Sequence, residues 1–350
     1  KRQALFYLVK PETVEVLDEN GTLVDEIGVQ GGYPAMEFTD HLIYDTLSSR
    51  LLSYSLSQKC VSFFSFDTKR WSLVERNKEE PNYYNHARTF NSADSSFYFF
   101  GGYGFYRYQN DLFRMNPATG ELEKINYAPL LSPRYSSAIT VVGDELYILG
   151  GRGNKYGKQE LVSHFYPELC AIDLKKNKSR IVWKKQQTDV YMLMASSMYF
   201  EPSDSSFYAV ALKDGGVLWK VSMKDTVWTE VSKPIRNAVI HQDCDFSFYS
   251  SPSHQKLFLV MDKILTDRTH DVSIYSINTP LMSESDIMQV EEEVVADSFA
   301  WYWIVIGVLA LLGLGYVIYF RLSRNKAVKS LSENVPTVIS CLLYTSDAAD

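Results

Sequence analysis

The chain has 350 residues, of which 46% are apolar and 22% charged, a composition that excludes a largely disordered protein. The formal net charge of −7 argues against non-specific binding to nucleic acid. Aromatic residues reach 14%, which favours β-structure. The four cysteines contain no C-x-x-C pair, so a disulfide framework or zinc site is not indicated. Cys60, Cys170, Cys244 and Cys341 are expected to be small buried hydrophobes.

A short apolar strand recurs along the first 290 residues. Its copies begin at Leu5, Leu51, Phe97, Leu146, Phe207 and Leu257. The intervals are 46, 46, 49, 61 and 50 residues, which defines six copies of a unit of roughly 50 residues. Repetition at such a period is typical of solenoids, propellers and related arrays.

Each unit reads as four strands separated by turns. A β-like run precedes the anchor strand, and two more follow it, with Asp, Asn, Pro and Gly at the turns, where their backbone chemistry is needed. Four antiparallel strands repeated at this spacing predict an all-β propeller of four-stranded blades. The alternative is a β-sandwich, which does not require repetition in phase over about 280 residues.

The first unit begins at its second strand, since no residues precede Lys1 to supply the innermost one. We therefore expect a propeller that is truncated at its N-terminus. At least one more strand, and an export signal further upstream, would belong to the full protein.

Two central units share a distinctive motif. "SSFYFFGGYG" and "DELYILGGRG" each run an apolar strand into a double glycine, Gly101–Gly102 and Gly150–Gly151. The tryptophans that would close the last strand of a unit are Trp71, Trp183 and Trp228. In these features the chain resembles the kelch repeat. The resemblance extends unevenly over residues 1–291, because only two of the six units keep both glycines. It implies a kelch-like β-propeller of the galactose oxidase/kelch superfamily, with the glycines in a structural role at an abrupt turn.

In kelch-like propellers, the loops that join second and third strands gather on one face. Two of these loops are long here, and both are rich in Tyr and basic residues, which form interfacial hot spots and can stack on sugars. The predicted ligand- or partner-binding residues are Tyr103, Phe105, Tyr106, Arg107, Tyr108, Arg152, Lys155, Tyr156 and Lys158. The competing interpretation is that these rings merely pack over blade edges.

No catalytic motif stands out in the sequence, and neither catalytic residues, metal ligands nor a cofactor are predicted. His41 and His86 lie at similar phases near inner strands, which indicates a repeat position rather than a metal pair. "SFDTKRW" (65–71) faintly resembles a sialidase Asp-box but lacks its glycine, so it is interpreted as a turn. The superfamily includes galactose oxidase and sialic acid epimerases, but the copper ligands of the oxidase cannot be matched to residues here.

Residues 299–320 hold 22 residues without a charge. As a helix they would span about 33 Å, enough for a bilayer core of about 30 Å. Aromatic residues lie at both ends, as at membrane interfaces. The acidic linker 291–298 precedes this segment and the basic stretch 321–340 follows it, so the positive-inside rule places residues 1–290 outside the cytoplasm and the C-terminus inside. The last ten residues, 341–350, resemble translated adapter read-through.

The sequence thus predicts a single-pass membrane protein with an extracytoplasmic kelch-like propeller. Its expected partners are the lipid bilayer and a protein or carbohydrate ligand outside the cytoplasm, without nucleic acid. The first hypothesis is a sensor whose cytoplasmic output domain is missing from this sequence. A membrane-tethered carbohydrate-active enzyme and an adhesion or assembly module remain alternatives, because fold does not fix function.

Overall fold

The structure is a computed structural model. It describes residues 5–31, 41–45, 48–72, 82–186, 190–213, 216–234, 244–251, 256–265 and 270–278. All of these belong to one compact unit, Lys1–Met288. Within the described residues the secondary structure is entirely β, with no helix, which confirms the all-β prediction.

The N-terminal half of this unit contains three antiparallel sheets. The first sheet has three described strands, β1 (Leu5–Val9), β2 (Thr13–Asp18) and β3 (Leu23–Gly28). The second has β4 (His41–Asp45), β5 (Arg50–Ser55), β6 (Cys60–Ser65) and β7 (Arg70–Trp71). The third has β8 (Ala87–Asn91), β9 (Ser96–Phe100), β12 (Leu112–Met115) and β13 (Leu122–Ile125), with the small hairpin β10 (Tyr103–Gly104) and β11 (Arg107–Tyr108) inserted between β9 and β12.

Three further groups of strands follow. The fourth has β14 (Arg134–Val142), β15 (Glu145–Gly153), β16 (His164–Phe165), β17 (Glu168–Asp173) and β18 (Lys178–Lys184). The fifth has β19 (Met194–Glu201), β20 (Ser206–Ala211), β21 (Val217–Ser222) and β22 (Trp228–Glu230). The sixth has β23 (Cys244–Ser251), β24 (Lys256–Ile264) and β25 (His270–Asn278). A single parallel bridge between β14 and β19 joins the fourth and fifth groups into one nine-stranded sheet.

The strand order confirms the predicted repetition of antiparallel units. Each complete unit is a four-stranded antiparallel meander; in the third and fourth units the short strands β10, β11 and β16 are inserted between the second and third strands. In each, the start of the first strand pairs with the end of the second: His41 with Tyr54, Ala87 with Phe100. We call this end of the strands the loop end, because it carries the connections between second and third strands. The predicted turn in "SFDTKRW" is also confirmed, between β6 and β7.

The hydrophobic core lies between successive units. One buried cluster combines Tyr98 and Phe100 of the third unit with Ile148 and Cys170 of the fourth. Apolar side chains on both faces of each meander therefore drive neighbouring units together. The first and last units also meet, because the rings of Phe6 and Phe258 lie 5.1 Å apart in an edge-on arrangement.

The two double glycines admit a neighbouring backbone. Gly102 N donates to Arg134 O at 2.8 Å, and Gly151 N donates to Met192 O at 2.7 Å, so each pair binds the segment that leads into the next unit. Gly101–Gly102 follow the end of β9, as expected for an exit turn, whereas β15 continues through Gly150–Gly151. All four glycines have φ between +68° and +109°, where a Cβ is unfavourable.

The described tryptophans and cysteines lie mostly in the interior. Trp71 and Trp183 are buried and Trp228 is half-buried; Cys170 and Cys244 are buried and Cys60 is half-buried. Burial raises the pKa of the Cys170 thiol to about 12, which makes it unreactive. The described residues include no helix long and apolar enough to cross a membrane; the predicted span 299–320 lies outside them, as do the flanking segments.

Candidate functional site

The two loops selected from the sequence form one continuous surface. Tyr108 N donates to Gly157 O at 2.9 Å, and Gln159 N donates to Tyr106 O at 3.0 Å. Arg107 and Lys158 form an antiparallel bridge between the same two segments. We call residues 103–108 and 152–163 together the loop surface.

A buried asparagine shapes the second of these loops. Asn154 is 3% exposed; its side-chain amide donates to Lys158 O at 2.6 Å, and its side-chain oxygen accepts from Tyr156 N at 3.1 Å. Gly157 has φ +67°, and a Cβ there would lie 3.0 Å from Tyr108 O. The loop is therefore held in a defined shape against the neighbouring hairpin.

The tip of the β10–β11 hairpin is strained. Phe105 and Tyr106 have φ of 41° and 64°, in the left-handed region that two-residue hairpins normally fill with Asn-Gly. Bulky residues there are unfavourable by roughly 1 kcal/mol or more each. Their side chains gain little burial in return, since Phe105 is 57% and Tyr106 72% exposed. Burial in the fold therefore offsets little of this strain.

Three of the nine predicted residues pack against the fold. Tyr103 and Tyr108 lie against the ring of Tyr135, with centroids 4.7 and 5.7 Å away. Arg152 donates from Nε to Ser163 Oγ at 2.9 Å, and its guanidinium covers the ring of Phe165 at 5.3 Å. For Tyr103, Tyr108 and Arg152, the observed contacts agree with the alternative that these side chains pack over the edges of the units.

The other six predicted residues are exposed on the loop surface. They are Phe105, Tyr106, Arg107, Lys155, Tyr156 and Lys158. Two apolar neighbours were not selected from the sequence, Leu161 at 42% and Val162 at 77% exposure. Only the pairing of the two loops reveals that all of these side chains share one surface. Among the charged residues that join them, Glu160 is the single acid, 3.5 Å from Lys158 Nζ.

A second group of functional interest lies at the loop end of the inner strands. Arg88 Nη2 of β8 donates to Asp245 Oδ2 of β23 at 2.5 Å, and also to Ser247 Oγ. His41 Nδ1 lies 3.7 Å from the same carboxylate oxygen. Although burial opposes ionisation, the Arg88 guanidinium holds the pKa of Asp245 well below its usual range. We call His41, Tyr54, His86, Arg88 and Asp245 the inner-strand cluster.

The two histidines of this cluster lie together, with ring centroids 4.7 Å apart. His86 Nδ1 faces Tyr83 O at 2.7 Å and therefore carries the proton, while Nε2 accepts from Tyr54 OH at 2.7 Å. Burial lowers the pKa of His86 well below its usual value, and burial with the Arg88 charge lowers that of His41 to about 4. Both imidazoles are neutral at physiological pH.

A second carboxylate adjoins the cluster. Asp262 is the register partner of Asp245 across β23 and β24, and its Oδ1 lies 2.8 Å from His270 Nδ1. Burial raises the pKa of Asp262 although the hydrogen bond to His270 opposes this, and the charge of Asp245 adds to the rise. Two neighbouring carboxyl groups thus have pKa values displaced in opposite directions, a pattern found at acid–base sites. Among the described residues, no three His, Cys, Asp or Glu side chains are grouped to hold a metal ion.

No protein-family model matches the chain, and no curated protein is significantly similar to it.

Proposed function

We propose that this protein is a membrane-anchored kelch-like β-propeller that recognises an extracytoplasmic ligand or partner through its loop surface. The repeated four-stranded meanders, the double glycines and the contact between first and last units support the propeller. The uncharged segment 299–320 supports the anchor. A cytoplasmic output domain beyond this sequence would make the protein a sensor.

The observation that carries the binding role is the strained aromatic tip. Phe105 and Tyr106 occupy left-handed positions and expose most of their rings. Neither hydrophobic burial nor turn chemistry favours these residues there. Recognition of another molecule would explain these residues, because large amphipathic rings contribute much of the binding energy at interfaces.

The proposal is tested with the full chain in detergent micelles, applied to arrays of glycans, peptides and lipids. We expect at least one ligand whose binding falls when the tip is converted by Phe105→Asn with Tyr106→Gly. Ser95→Gly is the matched control, since Ser95 also has a left-handed φ of 53° but lies in the β8–β9 turn at the opposite end of the strands. Equal binding by the tip variant and the control would remove the loop surface from consideration. The anchor is tested separately, by flotation of the full chain with vesicles and of a chain lacking residues 299–320.

A second candidate, a membrane-tethered carbohydrate-active enzyme, is favoured by one observation. Asp245 and Asp262 are register partners at the loop end, beside Arg88, His41 and His270. Acids with pKa values displaced in opposite directions suit general acid–base chemistry. Incubation of the full chain with galactose and with sialic acid anomers, followed by NMR, tests this function. Turnover lost in Asp262→Asn would support it, and unaltered sugars would exclude it for these substrates.

A further inference from the structure

We infer that the partner of the loop surface is the headgroup region of an anionic lipid bilayer, an inference that rests on the binding role and the anchor proposed above. The surface would rest its exposed apolar side chains in the interface, while its basic side chains contact lipid phosphates.

The shape of the surface argues against a small ligand. Sites for sugars and other small molecules are concave and enclose most of the ligand. Here the apolar side chains protrude: Tyr106 is 72%, Tyr156 63% and Val162 77% exposed. A folded protein partner would have to supply pockets that receive these protruding side chains. A bilayer needs no complementary pocket, because its interface adapts to protruding groups.

The residue types fit the membrane interface. Tyr and Phe place an apolar ring in the interfacial layer and, for Tyr, a hydroxyl toward water. Leu161 and Val162 add aliphatic side chains that neither stack on sugars nor donate hydrogen bonds. The Lys155 ammonium lies 4.7 Å from the centre of the Tyr156 ring. A cation and an aromatic group would therefore reach the same depth in the bilayer interface.

The charges complement an anionic surface. Arg107, Lys155 and Lys158 are exposed there beside the single acid Glu160. The loop surface has a net charge of +3, whereas the rest of residues 1–278 has a net charge of −5. Each basic residue near an anionic bilayer favours the docked state about fivefold, and the net negative charge elsewhere in the unit favours contact through this face.

The tether permits such contact. Twenty residues, 279–298, separate the last described strand from the predicted span. Asn278, the last described residue, pairs with Lys256 at the end of the strands opposite the loop end, so residues 279–298 must also pass the length of the strands, about 30 Å for nine residues. Fully extended, they would reach at most about 72 Å. The bilayer is thus held at high effective concentration relative to the loop surface, and weak docking suffices.

The test uses the full chain in vesicles of phosphatidylcholine with or without phosphatidylglycerol. Val162→Cys and Val227→Cys are each labelled with an environment-sensitive fluorophore, with Cys60 and Cys341 replaced by Ser. These two valines are a matched pair: Val162 is 77% exposed on the loop surface, and Val227 is 58% exposed before β22, at the opposite end of the strands. Lipids carrying a spin label quench a fluorophore that enters the interface.

We expect quenching at position 162 in anionic vesicles, and much less at position 227. Adding Lys155→Gln with Lys158→Gln should lower the ratio of docked to undocked protein about 25-fold, fivefold for each lysine, and high salt should lower it as well. The Phe105→Asn/Tyr106→Gly variant should also reduce quenching at position 162, even when both lysines are present.

Several results would overturn the inference. One is equal quenching at positions 162 and 227. Another is quenching at position 162 that changes neither with lipid charge nor in the lysine and tip variants. A third is protection of position 162 by soluble polyglutamate without quenching by lipid, which would indicate an acidic protein partner. A chain that fails to float with vesicles contradicts the proposed anchor instead. A chain that floats without quenching at position 162 contradicts this inference alone.

Discussion

Arg88 of β8 and Asp245 of β23 are joined by a 2.5 Å ion pair although 157 residues separate them in the chain. The Arg88 side chain is 8% exposed and that of Asp245 28%. The bond therefore ties the third unit to the sixth in a largely desolvated setting. Arg88 Nη1 has no partner among the described residues, so Asp245 and Ser247 carry most of its stabilisation.

Removal of Asp245 should destabilise the protein strongly. Asp245→Asn leaves a buried guanidinium without a counter-charge, which costs about 3–5 kcal/mol for pairs of this kind. The free energy of unfolding, measured with urea, provides the test. The double variant Arg88→Met/Asp245→Leu should be less destabilised than Asp245→Asn, because no uncompensated charge remains. A loss below about 1 kcal/mol in Asp245→Asn would show that water already solvates the pair.

Acid should weaken the fold through His41. Its pKa falls from 6.5 to about 4 on folding, so the unfolded chain binds more protons between these values. The stability that depends on a neutral His41 is complete above pH 6.5 and is lost as the pH falls toward 4, a loss of about 3 kcal/mol. Asp245, whose folded pKa is depressed, adds a loss only below its ordinary value of 3.8.

The measurement is the free energy of unfolding at a series of pH values from 7.5 to 4. His41→Asn should flatten the profile in this window, whereas His164→Asn, at an exposed position, should leave it unchanged. Parallel profiles for the wild type and His41→Asn would contradict a role of His41 in the loss of stability at low pH. His86 works in the same direction, since burial lowers its pKa as well, so the His41 variant should keep part of the slope.

Local patterns predicted the strands but not the sites they form. β9 and β15 follow from apolar runs with turn residues at both ends, since a strand's pattern is contained within its own residues. The meeting of Arg88 with Asp245 depends on how distant units pack, and neither residue recurs at its phase in other units. The phases of His41 and His86 were recognised, yet their contact and the role of Tyr54 required the structure.

The sequence predicted which residues the loop surface contains, and the structure shows how they are arranged. Six of its nine predicted residues are exposed, while Tyr103, Tyr108 and Arg152 pack on neighbouring side chains. Their neighbours Tyr135 and Phe165 lie outside the hairpin, so the sequence of the loop could not separate the two sets. The left-handed tip was also invisible, because aromatic residues rarely occupy it.

The strained tip should be stabilised by ordinary turn residues. Phe105→Asn/Tyr106→Gly supplies the pair that two-residue hairpins favour, and we expect a gain of roughly 1–2 kcal/mol, seen as a rise in the thermal midpoint. Binding should fall in the same variant. Stability and binding moving in opposite directions is the signature of a functional tip; a loss of stability would instead show that the two rings support the fold.

The double glycine should tolerate no side chain. A Cβ on Gly101 would collide with the carbonyl of Arg134, where the next unit begins, and Gly101 also has φ +68°. Gly143→Ala is the matched control, because Gly143 has φ +61° but nothing within 4 Å of a Cβ. Both variants incur the strain of a left-handed alanine, about 1 kcal/mol. Gly101→Ala should lose about 2 kcal/mol more, since the backbones of two units must separate. Equal losses in the unfolding free energies of the two variants would mean that the third and fourth units can shift apart freely, and would reduce the glycine pair to a turn.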